Sequence, residues 1–371
     1  MQIELSKHKV NDMKQNVNGR ISTASIKLFI VVCSMVYSLV SIAQQPSNVY
    51  VEKGQTIDDI RNSGSKIKYT EKININAKAL PLNPTINGPF EELKPRLTPC
   101  GKRLYFSRGF HPGNSSGTQD SEDIWYSEFD KASDSWSEPI RMPGLLNNAG
   151  PNYINNVSVT GDTVILGNRY TSKGKMRAGL SYSVNEKGKW SVPTNIEIKN
   201  DYNISNHANS FVDLSSGIII SSRQRCEGLG GRDLYVSFWN GTEATEPINM
   251  GTVINTEFEE SSPYLATDGK TLYFASKGHH GHGGYDIYVT KRLDDSWENW
   301  SEPQNLGPAV NGPMDDEFFS ITHCGKFAIF SKQISVHNVD LFKISMGDLF
   351  TEPVENNLET TPSANPAVAS L

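Results

Sequence analysis

The sequence predicts an all-β fold, a five-bladed β-propeller of four-stranded antiparallel blades, with six blades as the alternative. Three observations lead to this prediction: a turn motif that recurs at a nearly constant spacing, a second recurring motif in the same register, and a composition rich in turn formers. The 371 residues include 30 glycines and 19 prolines, and 9% are aromatic, a balance that favours β structure. Because only 37% of the residues are hydrophobic and 20% are charged, the composition excludes a helical membrane protein.

The turn motif is a glycine followed by a short apolar strand. Residues 267–276 (TDGKTLYFAS) are echoed by residues 99–107 (PCGKRLYFS) and 323–331 (HCGKFAIFS), with weaker copies at 160–166 and 215–221. The glycines of the five copies are Gly101, Gly161, Gly217, Gly269 and Gly325. Their spacing of 52 to 60 residues is that of four-stranded propeller blades, which must pack side by side in a closed ring.

The second motif is an aspartate that begins a later strand in four of the five repeats: Asp123, Asp233, Asp286 and Asp340. A catalytic group is normally unique, so a residue repeated in this way is predicted to be structural and to bind backbone amides of its own turn. A third motif, Trp-Ser-x-Pro, begins at Trp136, Trp190 and Trp300. These tryptophans are predicted to pack between blades.

Closure of the ring is assigned to residues 72–89, which resemble the end of a repeat but follow no recognisable beginning. They are expected to supply the outer strand of the last blade, with Phe350 and the three residues after it as the competing segment. The predicted divisions are a signal peptide at 1–43, an N-terminal arm at 44–71, the propeller at 72–350 and a flexible tail at 351–371. The repeats are placed near 92–150, 151–206, 207–259, 260–315 and 316–350, with the closing strand near 72–80.

The leader predicts export. Residues 28–43 are uncharged and end in the small residues Ser41 and Ala43, which is typical of a secretory signal cleaved after Ala43. An uncleaved anchor, lipidation at Cys33 and a start at Met13 are the alternatives. The expected location is the periplasm or the exterior, and cleavage would leave no membrane-spanning segment.

The charges and cysteines of the chain limit its partners. A formal net charge of −6 argues against nucleic acid as a partner. After cleavage three cysteines remain, Cys100, Cys226 and Cys324. An odd number implies no disulfide framework.

The fourth repeat supports a family resemblance. Residues 276–289 (SKGHHGHGGYDIYV), followed by WSEP at 300–303, resemble the WD-like repeat of TolB-type β-propellers, and especially of envelope proteins from Bacteroidetes. The resemblance covers about residues 87–345 and implies a propeller, while leaving its task open because one fold hosts many functions. Only a polar tail follows residue 350, so no OmpA-like peptidoglycan-binding domain is expected there.

Three histidines in a glycine-rich loop, His279, His280 and His282, are candidate metal ligands for Zn or Ni. The competing interpretation is structural, since the resemblance implies a histidine at position 279 without a metal. The loop glycines Gly228, Gly230, Gly231, Gly281, Gly283 and Gly284 are expected to provide positive-φ positions for tight hairpins. No cofactor is expected, and Ca²⁺ is the alternative.

The candidate binding site is the mouth of the axial channel. Nine residues before each repeat glycine, at the start of the innermost strand, the sequence has Glu92, Asn152, Ala208 (or His207 with a gap), Glu260 and Asp316. With Glu91, Glu259, Asp315 and Glu317 these residues would form an acidic ring that attracts cations or basic peptides. The alternative is that they cap loops between blades and point into solvent. Phe110, Tyr170 and Tyr285 are the aromatic residues expected to contact a partner.

The sequence therefore predicts a non-catalytic module of the bacterial cell envelope that binds a protein or a glycan. The alternative is a secreted carbohydrate-active enzyme, a glycoside hydrolase or lyase, that uses carboxylates at the channel mouth. No Gly-x-Ser-x-Gly motif supports nucleophilic catalysis. The stretch nearest to a sialidase turn, at residues 266–272, lacks the tryptophan of that motif.

Overall fold

A computed structural model describes residues 72–171 and 176–351 of the chain. The predicted signal peptide, its cleavage site, the N-terminal arm and nearly all of the predicted tail lie outside these residues.

Short strands account for most of the described chain. In chain order they are β1 (Lys72–Ile73), β2 (Leu80–Pro81), β3 (Glu91–Leu97), β4 (Arg103–Gly109), β5 (Asp123–Asp130), β6 (Ser135–Trp136), β7 (Ile140–Arg141), β8 (Ile154–Val157), β9 (Thr163–Tyr170), β10 (Met176–Glu186), β11 (Lys189–Trp190), β12 (Thr194–Ile198), β13 (Ser210–Asp213), β14 (Ile218–Arg223), β15 (Asp233–Phe238), β16 (Glu243–Ala244), β17 (Ile248–Asn249), β18 (Glu260–Leu265), β19 (Thr271–Ser276), β20 (Asp286–Lys291), β21 (Gln304–Asn305), β22 (Asp316–Ile321), β23 (Phe327–Ser335), β24 (Asn338–Ser345) and β25 (Phe350–Thr351). The helical elements of these residues are a 3-10 turn, Gly117–Gln119, and one helical turn, α1 (Met346–Leu349). None of the described helices is long and apolar enough to cross a membrane.

The strands pair into five antiparallel sheets of four strands. Sheet 1 is β3-β4-β5-β7, sheet 2 is β8-β9-β10-β12, sheet 3 is β13-β14-β15-β17, sheet 4 is β18-β19-β20-β21, and sheet 5 is β22-β23-β24-β2. This arrangement confirms the predicted all-β fold with four-stranded antiparallel units.

The five sheets stand around a common axis. Their first strands contact one another in the cyclic order β3, β8, β13, β18, β22 and back to β3. Five buried apolar clusters lie between neighbouring sheets, one for each pair of sheets around the cycle. Since each sheet packs one face on each neighbour, the architecture is a β-propeller. The blade number of five stays a prediction, because the pairing is described only for residues 72–171 and 176–351.

The segment before sheet 1 completes sheet 5. Leu80 and Pro81 pair with Lys343 and Phe342 of β24, and the amide of Leu82 donates to the carbonyl of Leu341 at 2.8 Å. The competing segment pairs elsewhere, since Phe350–Thr351 forms a separate two-stranded sheet with Lys72–Ile73. Segments distant in sequence are therefore joined within the last sheet.

The glycines of the repeat occupy tight turns between the first and second strands of each sheet. All five have φ between 65° and 76°, a region that favours glycine because it carries no Cβ. We define the turn end of the propeller as the end where these glycines lie. The entry end is the opposite end, where the first strands begin.

The glycines of the two glycine-rich loops behave differently, and the predicted positive φ at these positions is wrong. Four of them, Gly230, Gly231, Gly283 and Gly284, lie instead against the loop that enters the next sheet, whereas Gly228 and Gly281 lie against the repeated aspartate of their own sheet. A Cβ on Gly230 would lie 2.2 Å from the carbonyl oxygen of Glu257, and one on Gly283 would lie 2.4 Å from the carbonyl carbon of Pro313. These positions need glycine for close packing between sheets.

Candidate functional site

The predicted ring residues are buried in their own loops. Glu92, Asn152, Glu260 and Asp316 are at most 1% exposed. A side-chain oxygen of each accepts a hydrogen bond from the amide four residues earlier, which belongs to Gly88, Asn148, Thr256 and Gly312 respectively. In sheet 3 the equivalent residue, Ala208, has no such side chain. The four side chains therefore bond to the loops that enter the sheets, but they do not point into solvent as the alternative interpretation expected.

Two of these carboxyls also have a basic neighbour. The Nε atom of Arg108 lies 3.2 Å from Oε1 of Glu92, and the Nζ atom of Lys332 lies 3.3 Å from Oδ1 of Asp316. Burial nevertheless raises the pKa of Glu92 to about 7 and that of Asp316 to about 6. Loss of hydration outweighs the attraction of the neighbouring cation at both positions.

This burial predicts a pH dependence of stability. Between pH 4.5 and 7 the Glu92 carboxyl is ionised in the unfolded chain but still protonated in the folded one. The contribution of Glu92 to the free energy of unfolding is therefore complete below pH 4.5 and is lost as the pH rises through 7. Between pH 5 and pH 8 we expect the free energy of unfolding of the wild type, measured with urea, to fall by about 3 kcal/mol more than that of Glu92→Gln. Parallel profiles would contradict this assignment.

The comparison of the two profiles isolates Glu92 from other titrating groups. Glu227 and Glu259, whose pKa is lowered to about 2, titrate below this pH range. Because groups other than Glu92 are common to both proteins, their contributions cancel in the difference.

A repeated asparagine lies five residues before each of the four buried loop residues, Glu92, Asn152, Glu260 and Asp316. It was not identified from the sequence. Asn147 accepts a hydrogen bond from the amide of Ile124 and donates to the carbonyls of Ile124 and Met142. Asn87, Asn255 and Asn311 bind the main chain of Leu341, Leu234 and Ile287 in the same way. The similarity between residues 86–89 and 310–313, which both contain this asparagine, could have revealed it. These asparagines fasten the outer edges of sheets 1, 3, 4 and 5 to their third strands.

The repeated aspartates anchor the loop between the second and third strands. Oδ2 of Asp123 accepts from the amide of Ser115, Oδ2 of Asp233 from the amide of Leu229, and Oδ2 of Asp286 from the amide of His282. Asp340 holds the same place in sheet 5, since it lies opposite Lys332 of the neighbouring strand as Asp123 lies opposite Arg108.

The three histidines do not come together as a ligand set. Nε2 of His279 lies 3.0 Å from the carbonyl oxygen of Ile254, and its ring packs against Phe274 and Tyr288. His280 and His282 are exposed. Within residues 72–171 and 176–351 no group of three or more His, Cys, Asp or Glu side chains is placed to hold a metal ion. Cys100, Cys226 and Cys324 are free thiols.

Charged side chains from different sheets instead meet in two groups that the sequence did not predict. In the first, Nζ of Lys94 lies 2.6 Å from a carboxylate oxygen of Glu122. The same ammonium lies 4.6 Å from the ring centroid of Tyr153 and 4.9 Å from that of Phe318. Lys94 therefore connects sheets 1, 2 and 5. It reaches the axis because β3 has a bulge between Leu93 and Arg96, where Lys94 adopts a φ of 55°.

The second group surrounds Arg232 in sheets 3, 4 and 5. Nε of Arg232 lies 3.5 Å from Oε1 of Glu259, and the Tyr285 hydroxyl donates to Oε2 of the same carboxylate at 2.7 Å. Glu317 accepts a hydrogen bond from the Ser262 hydroxyl at 2.8 Å.

The two carboxyls near Arg232 have opposite pKa shifts. Burial raises the pKa of Glu317, and the hydrogen bond from Ser262 offsets only part of that effect. Burial also acts on Glu259, but the hydrogen bond from Tyr285 and the charges of Arg232 and Lys277 outweigh it and lower the pKa to about 2. One carboxyl is therefore disposed to keep a proton and the other to lose it.

The three predicted contact aromatics differ in exposure. Phe110 is 47% exposed, whereas Tyr285 is 4% exposed and engaged by Glu259. Tyr170 is half-buried, and its hydroxyl donates to the carbonyl of Leu146. Of the three, Phe110 has the exposure that a contact residue needs.

No protein-family model matches the chain, and no curated protein matches it. Among solved structures, an α-L-arabinofuranosidase from Podospora anserina is 14% identical, with a TM-score of 0.48 over 76% of this chain and 99% of that one. An α-L-arabinofuranosidase from Lactobacillus brevis is 12% identical, with a TM-score of 0.45 over 71% and 92%. A protein of unknown function from Dyadobacter fermentans is 11% identical, with a TM-score of 0.39 over 77% and 88%. Structural similarities at this level do not indicate what the chain does.

Proposed function

We propose that the chain is an exported, non-catalytic β-propeller that binds a protein or glycan of the bacterial cell envelope through loops at its entry end. The observation behind this proposal is a set of exposed apolar side chains, here called the loop strip. Tyr202, Ile204, Leu229 and Phe258 are 40%, 58%, 47% and 59% exposed. Apolar groups exposed together on loops are typical of interaction surfaces.

The three loops that bear the strip are bonded to one another. The amide of Ile204 donates to the carbonyl of Gln224, and the amide of Cys226 donates to the Tyr202 hydroxyl. The amide of Gly231 donates to the carbonyl of Phe258 at 2.7 Å. Because these bonds hold the loops before a partner arrives, little conformational entropy would be lost on binding.

The test measures retention of envelope components by the immobilised protein. We expect Leu229→Ser and Phe258→Ser each to weaken the retention of a bound protein or glycan about tenfold, because each removes apolar area from the contact. Val192→Ser is the matched control, since Val192 is 72% exposed beside the outer strand of sheet 2. Equal retention by wild type and the two strip variants would refute the proposal.

Hydrolysis of a glycan is the second candidate, and the carboxyls near Arg232 favour it. A glycoside hydrolase needs one carboxyl that donates a proton and one that stays ionised. Glu317 and Glu259 have this difference in pKa. Glu92 and Glu260 are less suited to the role, because both are fully buried and hold their own loops.

A glycan-hydrolysis screen separates the two candidates. If the chain is a hydrolase, we expect Glu317→Gln and Glu259→Gln each to lower kcat by at least about 100-fold. Glu257→Gln, which changes an exposed neighbouring carboxylate, is expected to keep full activity. Absence of turnover by the folded wild type, together with retention of an envelope component, would leave the binding function alone.

A further inference from the structure

A cavity of about 300 Å³ lies on the axis at the turn end, away from the loop strip. The last residues of all five first strands line it, including Arg96, Val157, Phe211, Leu265 and Ile321. Its wall is mainly apolar. Pockets of this size whose walls are mainly apolar are typical of sites for small organic ligands.

Arg96 and His323 are the basic residues of this wall, and Arg96 is the buried one. Arg96 is 5% exposed. Its hydrogen bonds within the described residues go to two backbone carbonyls, from Nε to Asn155 at 2.6 Å and from Nη1 to Pro95 at 2.7 Å. These two bonds use two of the five N–H groups of a guanidinium. Its Nη2 group donates to none of the described residues.

The charge of Arg96 has no counter-ion among the described residues. None of their carboxylates lies within 4.0 Å of its guanidinium. Burial lowers the pKa of Arg96 to about 10, with only the Tyr264 hydroxyl acting against this effect, so the side chain is still charged at neutral pH. Asp213 also lines the cavity, but its Oδ1 is engaged by the amide and hydroxyl of Ser215. An unpaired buried cation is costly unless an anion joins it.

We infer that the axial cavity binds the carboxylate of an apolar organic acid, with Nη2 of Arg96 donating to the carboxylate and the apolar wall holding the hydrocarbon part. The planar guanidinium suits a carboxylate because it offers neighbouring N–H donors in one plane. The acid has two sources with the same chemistry: a free carboxylic acid, or the last residue of a peptide with an apolar side chain.

Calorimetric titration of the whole chain with octanoate and with octanol tests this inference. We expect octanoate to bind at least about tenfold more tightly than octanol, because only octanoate can pair with Arg96. A peptide ending in Ala-Leu with a free carboxyl, compared with its C-terminal amide, makes the same comparison for the second source. Preference for the acid in either pair supports the inference, and its absence in both overturns it.

Two variants locate the site. Arg96→Met keeps a long apolar side chain and is expected to weaken binding of the preferred acid at least about tenfold. Lys102→Met, which removes an exposed charge from the same end of the propeller, is expected to bind as the wild type does. Unchanged affinity in folded Arg96→Met would overturn the inference. If that variant does not fold, the comparisons of each acid with its neutral partner on the wild-type protein still test the inference.

Discussion

Replacing Lys94 with methionine is expected to lower the free energy of unfolding by about 3 kcal/mol. Methionine keeps most of the contact with Tyr153 and Phe318 but removes the charge that faces Glu122. The side chains of Lys94 and Glu122 are only 9% and 16% exposed. The carboxylate would then be left in a poorly hydrated place without its cation, and this loss is much larger than that of an exposed ion pair. Urea unfolding at neutral pH measures the effect.

A second substitution separates the charge from the packing. Glu122→Gln in the Lys94→Met protein is expected to restore most of the lost stability, because the buried carboxylate is gone. Arg103→Met is a matched control, since its ion pair with Glu128 lies on more exposed side chains and is expected to contribute less than about 1 kcal/mol. A loss below about 1 kcal/mol in Lys94→Met, or no recovery in the double variant, would count against a buried axial ion pair.

Asn87→Ala is expected to destabilise the protein by about 2 kcal/mol, because the amide of the buried Leu341 loses its partner and its carbonyl keeps only the amide of Leu82. The same change is expected to loosen the closing segment, residues 72–89, since Asn87 ties it to sheet 5. Urea unfolding measures the first effect. The rate of limited proteolysis within residues 72–89 measures the second.

Asn147→Ala is the matched control for this prediction. Asn147 makes the corresponding three hydrogen bonds to Ile124 and Met142, which belong to sheet 1 itself. We expect a similar loss of stability but no faster cleavage within residues 72–89. Equal cleavage rates in Asn87→Ala and the wild type would show that Asn87 does not secure the closing segment.

The spacing of the repeats identifies equivalent positions at the entry end, but not what their side chains do there. Glu92, Asn152, Glu260 and Asp316 do occupy equivalent places, as their spacing indicates. Their side chains turn into the loop that precedes each strand, where each accepts a hydrogen bond from the amide four residues earlier. A periodic pattern indicates positions with the same structural role. Asn152 shows that a side-chain amide can fill this role in place of a carboxylate.

The groups around Lys94, Arg232 and Arg96 could not be read from the periodicity, because none of them repeats. Lys94 corresponds to Ser262 in sheet 4 and to Phe318 in sheet 5, and these three residues all have positive φ at a strand bulge. The bulge is a shared feature of the backbone. The side chain placed there differs from sheet to sheet.

By itself the sequence determined that the chain consists of repeated four-stranded units with glycine turns, because strand length, turn chemistry and alternation are local properties that recur along it. Only the tertiary structure decided which charges meet at the axis and which carboxyls are buried. Lys94 and Phe318 are more than two hundred residues apart, and closure of the ring brings them together. The pKa of a carboxyl and the pairing of a guanidinium depend on such neighbours, which no repeat specifies.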